Sequence, residues 1–528
     1  MAPVRAIPWV VGAVVVDVLL RLRFLDVPLN VDEAGYGQVA RLWSRGFPLY
    51  GDVAWVDRPQ GLVGLYRIAV SLGDDEAIRL LAVGAGAILV VSLAVIAWTL
   101  VGPRAGIIAA WLIALVGPAP HIEGFTANGE LLGGAVAAAA IACAVRWWAA
   151  PRLWLLVLAG VLAGLGPLVK QSAFDGCVVA LVLVLAVARR ERAPLRGLGH
   201  VAVLVAAIAA PWAAAAAWAA TASPGIDGWW YAIYGYRAGT ESVLSGDVGM
   251  RVELLGNSIP WMLVDAGLVL VLAALGLVAL ARRGGLAVPL AWLGACALGF
   301  AAGGLYHPHY WVQMLPPLAL LAAAGTDHLW ATRGARTALA VAGAAALIPV
   351  ALALPVYLAS TPELASARST NDPRVISAIP VGRAVARATG PDDPVQVLWA
   401  NAAVYWHADR IPATRYLWYR NIEFIPGARE DVARDFESDS PPAAAIGYQP
   451  VRALDTDGRV RAALDLRYAR GEVDGVPVWL LLRPWEPEPL RWVASRAIVG
   501  IMGSSDRVED RGGPTARRMR IIRPFLAH

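Results

Sequence analysis

The sequence predicts a mainly α-helical protein: a polytopic membrane bundle of about eleven spans, with a small extracytoplasmic α/β domain near its C-terminal end. Three observations predict it: long apolar runs recur through the first 360 residues, arginine clusters punctuate them, and the composition changes afterwards. Hydrophobic residues make up 58% of the chain, charged residues only 16%, and the mean hydropathy is +0.57. Soluble domains carry roughly 25% charge, so this balance belongs to a membrane protein.

The apolar runs lie at 7–24, 79–101, 105–120, 131–147, 153–169, 174–189, 199–220, 256–281, 286–304, 309–328 and 337–359. Each approaches the roughly 20 residues that cross a hydrocarbon core. The first, "IPWVVGAVVVDVLL", has no small-residue cleavage site after it and reads as an uncleaved span. With the N-terminus inside, the inner loops carry Arg5, Arg104, Arg146, Arg152, the block Arg189 to Arg196, Arg282, Arg283, Arg333 and Arg336. Basic short loops on the cytoplasmic side are what membrane insertion selects. Loops 25–78, 121–130, 170–173, 221–255 and 305–308, and everything after 360, then face away from the cytoplasm of a plasma (inner) membrane. The net charge of +5 is thus spent on topology, and nucleic acid is not an expected partner. Cys143, Cys177 and Cys296 all fall in apolar runs and read as small core residues, not a disulfide framework.

The expected organisation is a membrane domain at 1–360, an α/β domain at 361–485 and an arginine-rich tail at 486–528. Short apolar strands at 395–400, 443–448 and 476–482 alternate with helix-like polar stretches such as "GAREDVARDFES". The tail contains one amphipathic piece, "LRWVASRAIVGIM".

Candidate chemistry gathers in the outer segments. Residues 33–45 place Tyr36, Val39, Ala40 and Trp43 at helical spacing, which predicts an amphipathic helix at the interface that opens on Asp32 and Glu33. Read without function, Asp32 is an N-cap and Glu33 a first-turn acid complementing the helix dipole. The same loop holds Arg58 in "DRPQG". The second outer loop, "HIEGFTANGELL", offers His121, Glu123, Asn128 and Glu130. "LVKQSAF" offers Lys170 and Gln171, and "YHPHYWVQM" offers His307, His309 and Tyr310. The segment "SPGIDGWWYAIYGYRAGTES" is dense in aromatics, Trp229 and Trp230 among them, and carries Arg237. Such aromatics ordinarily anchor at the interface; the sharper reading is a flap over a lipid or a sugar platform. Taken singly, each residue has a structural explanation. Their joint concentration on one side does not.

On these residues the chain resembles the GT-C superfamily of integral-membrane glycosyltransferases that use polyprenyl-phosphate sugars, such as protein O-mannosyltransferases and lipid A aminoarabinose transferases. "DEAGYGQVARLWSRGFPLYGDVAWVDRPQG" is similar to their first outer loop, and "ANGELL" to their second-loop acidic motif, with Glu130 where Asp is commoner. "HYWVQMLPPLALLAA" is similar to their late span. The turn Arg58-Pro59-Gln60 keeps the cation of their Lys-Pro-Pro and departs at the third residue. The basic residues are arginine except Lys170, a bias that a GC-rich genome produces, and the C-terminal domain with "WANAAVYWHADRIPATRYLW" (399–418) resembles extracytoplasmic domains of actinobacterial members.

The resemblance implies a sugar donor on a polyprenyl monophosphate, an acceptor in the cell-envelope glycan, lipid or protein, and contact with membrane lipids. Asp32 is the expected general base, because attack on an anomeric carbon needs the acceptor hydroxyl deprotonated. Glu33 and Glu130 are expected to shape the pocket. Arg58, Lys170, Arg237, His309 and Tyr310 are expected around the donor phosphate, whose departure needs charge stabilisation. His121, Glu123, Asn128, Gln171, His307, Trp229 and Trp230 are expected in the substrate pocket. Asp32, Glu33 and His307 match no metal-ligand spacing, so no metal site is assigned; the sequence leans to no cofactor and leaves a divalent cation open. The rival is a transporter or lipid flippase, favoured by the intramembrane acids Asp17 and Asp265.

Overall fold

The computed structural model describes residues 6–192, 194–239, 248–369 and 372–482. The arginine-rich tail and its amphipathic piece lie outside the described residues. Thirteen long helices are described in the first part: α1 (Ile7–Leu22), α2 (Val31–Ser44), α3 (Gln60–Leu72), α4 (Asp75–Leu100), α5 (Pro103–Val116), α6 (Gly129–Ala149), α7 (Leu153–Val169), α8 (Asp175–Glu191), α9 (Pro194–Thr221), α10 (Val248–Arg283), α11 (Ala287–Gly303), α12 (Leu315–Arg333) and α13 (Ala335–Leu352), with shorter elements between some of them. Every expected span coincides with one of these; α2 and α3 belong to the first outer loop. By length and composition α4, α6, α9, α10 and α13 can each cross a membrane, and α5, α7 and α11 are shorter apolar helices. The span expected from 309 begins as a helix only at Leu315, after a 3-10 turn over Pro308–Met314. Pro316 and Pro317 account for the late start, since proline is favoured in the first turn of a helix.

Small residues let the helices close on one another. A Cβ on Gly276 would strike the Leu321 carbonyl, and one on Gly325 the Leu272 carbonyl, so α10 and α12 meet backbone to backbone. Gly160 and Gly164 of α7 do the same against Leu204 and Ile208 of α9. At one end, Arg104 and Arg283 both reach Asp327, at 3.2 and 3.8 Å, which gathers the α4–α5 turn with the ends of α10 and α12. The long loops gather at the other end.

There α2 departs from expectation. Asn30, not Asp32, caps it: Asn30 Oδ1 accepts from Glu33 N at 2.8 Å, and Glu33 Oε2 accepts from Asn30 N at 3.2 Å, a reciprocal capping box. Nor does α2 keep a free polar face, because nine of its 14 residues are buried between the bundle and the C-terminal part. Glu33 Oε1 accepts from Arg79 Nη1 at 2.9 Å and from Ala127 N at 2.8 Å, tying α2 to α4 and to the second outer loop. On the other side Gln38 Nε2 donates to Arg410 O at 2.9 Å, and the Arg41 guanidinium lies 3.6 Å over the Trp406 ring. Trp406 Nε1 donates to Asp75 Oδ1 at 2.6 Å. Gly35 and Gly37 make room for this docking, since a Cβ on them would lie 2.5 Å from Trp418 Cζ2 and 3.1 Å from the Trp406 ring.

The C-terminal part carries a four-stranded sheet, ordered β1 (Val395–Leu398), β2 (Ala444–Gly447), β4 (Val476–Leu481), β3 (Tyr468–Val473). β1 and β2 are parallel, and the other pairs antiparallel. Three of the strands are the expected ones, and "GAREDVARDFES" forms the helix Ala428–Glu437. β3 was missed because "YARGEV" has no apolar run; Asp474-Gly475, with φ of 52° and 76°, turns it into β4 as a tight hairpin.

Two outcomes follow. Gly35→Ala should cost about 1–3 kcal/mol through overpacking against Trp418, read as a lower Tm in detergent and faster proteolysis of the C-terminal part. Arg79→Met leaves Glu33 buried without its partner and should cost about 3–5 kcal/mol. Glu33→Gln in the same chain should recover part of that loss, because it removes the orphaned charge.

Candidate active site

A cavity of about 140 Å³ lies where the loop-bearing end of the bundle meets the C-terminal part. Five separate stretches line it: Asp32 and Tyr36 from α2; Asp57 and Arg58; Tyr236 and Arg237; residues between Gly303 and Tyr310; and Trp418, Arg420 and Asn421.

Asp32 faces this space, and its Oδ1 accepts from Trp418 Nε1 at 3.0 Å across a separation of 386 residues. Among the described residues its Oδ2 makes no hydrogen bond. Beside it Asp57 Oδ2 accepts from both Arg58 Nη1 and Arg237 Nη2, each at 2.6 Å. Burial alone would raise the Asp57 pKa, but Arg58, Arg237 and Lys170 together hold it below the usual carboxylate range. Two guanidiniums on one carboxylate leave a net positive charge and spare donors, among them Arg237 Nε, which is buried without a partner. Gln171 Nε2 donates to Asp57 O and Ile233 O, both at 3.0 Å, and so joins the first loop to the aromatic segment. Tyr50 Oη donates to Arg58 O at 2.9 Å and fixes the turn from below.

A second polar layer stands behind this wall. Lys170 Nζ is 2.8 Å from Glu130 Oε1 and 5.3 Å from the centre of the Tyr310 ring, which separates it from the cavity. Gly129 and Gly133 of α6 admit the lysine, whose Cδ and Cβ would meet any Cβ placed there at 2.9 and 3.0 Å. Burial, then the fields of Arg58 and Arg237, lower the Lys170 pKa to about 8 in spite of Glu130. His307 stacks on His309 at 5.5 Å. Burial and the neighbouring His309 push the His307 pKa down to about 4, so near pH 7 it is a neutral imidazole. His309 Nδ1 lies 3.4 Å from Glu123 Oε2.

Of the residues expected from sequence, Asp32, Arg58, Arg237, His307, His309 and Tyr310 share the cavity wall. Glu130, Lys170, Glu123 and Gln171 support it from behind. Glu33 does not reach it, because all its hydrogen bonds hold α2 in place. Asn128 caps α6 through Leu131 N, at 2.8 Å. His121 turns away to Asp265: its Nδ1 is 2.7 Å from Asp265 Oδ1, while Ile122 N donates to Oδ2 at 3.1 Å. Trp229 is buried and donates to Gln60 Oε1 at 2.8 Å, whereas Trp230 points outward, 53% exposed. Neither tryptophan lines the cavity, because the short helix Gly225–Trp230 turns one ring into the core and the other away from it. No site role was legible in the sequence for Tyr36, Asp57, Tyr236, Trp418, Arg420 or Asn421. Asp57 sits inside the quoted "DRPQG", and "RYLWYRN" joins two arginines to aromatics, but neither pattern singles out a site.

A scan against family models matches nothing, and neither does a comparison with curated proteins. Solved structures do match. ArnT from Cupriavidus metallidurans bound to undecaprenyl phosphate superposes with a TM-score of 0.62 at 15% identity, over 92% of this chain and 99% of that one. Its apo form gives a TM-score of 0.56 at 14% identity, over 90% and 98%. The archaeal oligosaccharyltransferase AglB from Archaeoglobus fulgidus, in complex with an inhibitory peptide and a dolichol-phosphate, gives 0.52 at 14% identity, over 91% and 75%. Both proteins are GT-C superfamily membrane glycosyltransferases, and this chain has the GT-C fold.

The lysine layer has a pH signature. As pH rises through about 8, Lys170 loses its proton and the wall loses one positive charge. Affinity for a phosphomonoester probe such as dodecyl phosphate, itself fully ionised above pH 7.5, should fall on the order of tenfold across that step. Titration of Lys170→Met should lack it.

Proposed function

We propose that this chain is an integral-membrane glycosyltransferase that moves a sugar from a polyprenyl monophosphate to an extracytoplasmic cell-envelope acceptor, with mannose and arabinose as the first sugars to test. The observation that carries the reading is the meeting of a carboxylate, Asp32, with the Arg58–Asp57–Arg237 cluster in one cavity of the GT-C fold. Undecaprenyl phosphate in the ArnT structure supports the choice of lipid carrier. The arginine distribution along the sequence supports the extracytoplasmic side.

In this reading the acceptor hydroxyl attacks the anomeric carbon and hands its proton to Asp32 Oδ2. The bond from that carbon to the phosphate oxygen breaks, and its electron pair leaves with the lipid phosphate. Arg58 and Arg237 take up the developing charge through donors that Asp57 leaves free. His307, as a neutral imidazole, donates to a phosphate or sugar oxygen. A single displacement of this kind inverts the anomeric centre. Trp418 Nε1 holds Oδ1 and so keeps Oδ2 turned to the incoming hydroxyl.

The test is transfer from radiolabelled polyprenyl-phosphate mannose or arabinose in membranes carrying the chain. Asp32→Asn should lower transfer by roughly 10²–10⁴-fold while lipid-phosphate binding is kept; full transfer by that variant would falsify the assignment. Arg58→Ala and Arg237→Ala should each weaken undecaprenyl-phosphate binding by roughly ten- to a hundredfold, the worth of a charge-assisted hydrogen bond. Vectorial uptake without transfer would instead favour a transporter.

A further inference from the structure

The cavity has two unlike walls. The bundle side is cationic, with Arg58, Arg237, His307 and His309. Trp418, Arg420 and Asn421 of the C-terminal part form the facing side. Arg420 is largely neutralised there, its Nη1 being 2.6 Å from Glu423 Oε2. Asn421 stands apart: it is only 2% exposed, yet its Oδ1 has no hydrogen-bond partner among the described residues. Its backbone is held on both sides, with Asn421 N donating to Trp418 O at 3.1 Å and Ile425 N donating to Asn421 O at 3.0 Å, so the side chain is presented from a fixed support. Buried polar atoms in folded chains are nearly always paired, and an orphan acceptor in the wall of a cavity is a place for a donor brought by a ligand.

The chemistry of that donor can be narrowed. An amide oxygen accepts hydrogen bonds, and an ionised phosphate has no proton to give, so the lipid phosphate belongs on the cationic wall. The transferred sugar is joined to that phosphate, so a phosphate held on the cationic wall places the sugar toward the facing one. We infer that Asn421 is a specificity-determining residue: its Oδ1 accepts a hydrogen bond from a hydroxyl of the sugar being transferred. This inference rests on the glycosyltransferase reading of the cavity. It gives the C-terminal part a share in substrate choice.

The test measures binding of bare undecaprenyl phosphate, and of undecaprenyl-phosphate mannose, arabinose and glucose, to the full chain in detergent. In the native chain at least one sugar should bind more tightly than the bare lipid phosphate. Asn421→Leu, similar in shape but without the amide, should lose that gain by roughly ten- to a hundredfold with affinity for bare undecaprenyl phosphate unchanged. Binding of the bare lipid also reports that the variant is folded. A second arm uses only the native chain: among monodeoxy versions of the preferred sugar, one position should lose the same gain. A gain that survives in a lipid-binding Asn421→Leu chain, no sugar that adds affinity, equal binding of every deoxy sugar, or a gain from acceptor glycan alone overturns the inference. The glycosyltransferase reading fails separately, if the native chain does not bind bare undecaprenyl phosphate.

Discussion

The buried carboxylate of Glu33 is the constraint on which the site depends. Neighbouring residues on a helix point about 100° apart, so two adjacent acids cannot serve one pocket equally. Glu33 turns into the bundle, where Arg79, Ala127 N and Asn30 N use it to fix the start of α2 against α4 and the second outer loop. That anchoring turns Asp32 toward the C-terminal part and Trp418. One acid of the pair builds, and the other faces the cavity. Burial raises the Glu33 pKa, with Arg79 opposing it, as a charge held in a dry place requires.

The same economy runs through the intramembrane acids. Asp17 pairs with Arg21 at 3.0 Å, and Arg21 reaches on to the Gly124 carbonyl. Asp265 holds His121 and Ile122 N. Both acids therefore pin residues 121–124 to the bundle, together with Tyr66 Oη, which donates to Ala127 O at 2.7 Å. A carrier would spend such groups on a path through the bilayer; here they fasten a loop. The second outer loop is in this way a rigid plate, and Glu123 and Glu130 at its two ends are placed behind the histidines and Lys170.

Charge in the cavity is arranged by sharing. Asp57 keeps Arg58 and Arg237 close together without neutralising both, and Glu130 pairs with Lys170 one layer back. Cations assembled without these carboxylates would repel one another and leave the cavity when no anion is present. With them, the two guanidiniums are held side by side by contacts of the protein itself.

Sequence alone determined the long apolar helices and the order of the segments between them, because hydropathy is a local property that can be read one stretch at a time. It also marked most of the polar residues that gather at the loop-bearing end, since polar groups there stand out against an apolar background. Tertiary structure alone decided which of them meet. Asp32 and Glu33 look equivalent in the sequence and face opposite bodies in the fold; His121 and Trp229 look like pocket residues and are bound elsewhere. Trp418, Arg420 and Asn421 come from the far end of the chain and close the cavity, docked through Gly35 and Gly37, whose only mark is a missing side chain. No periodicity or motif encodes such a meeting, because it depends on packing between surfaces hundreds of residues apart.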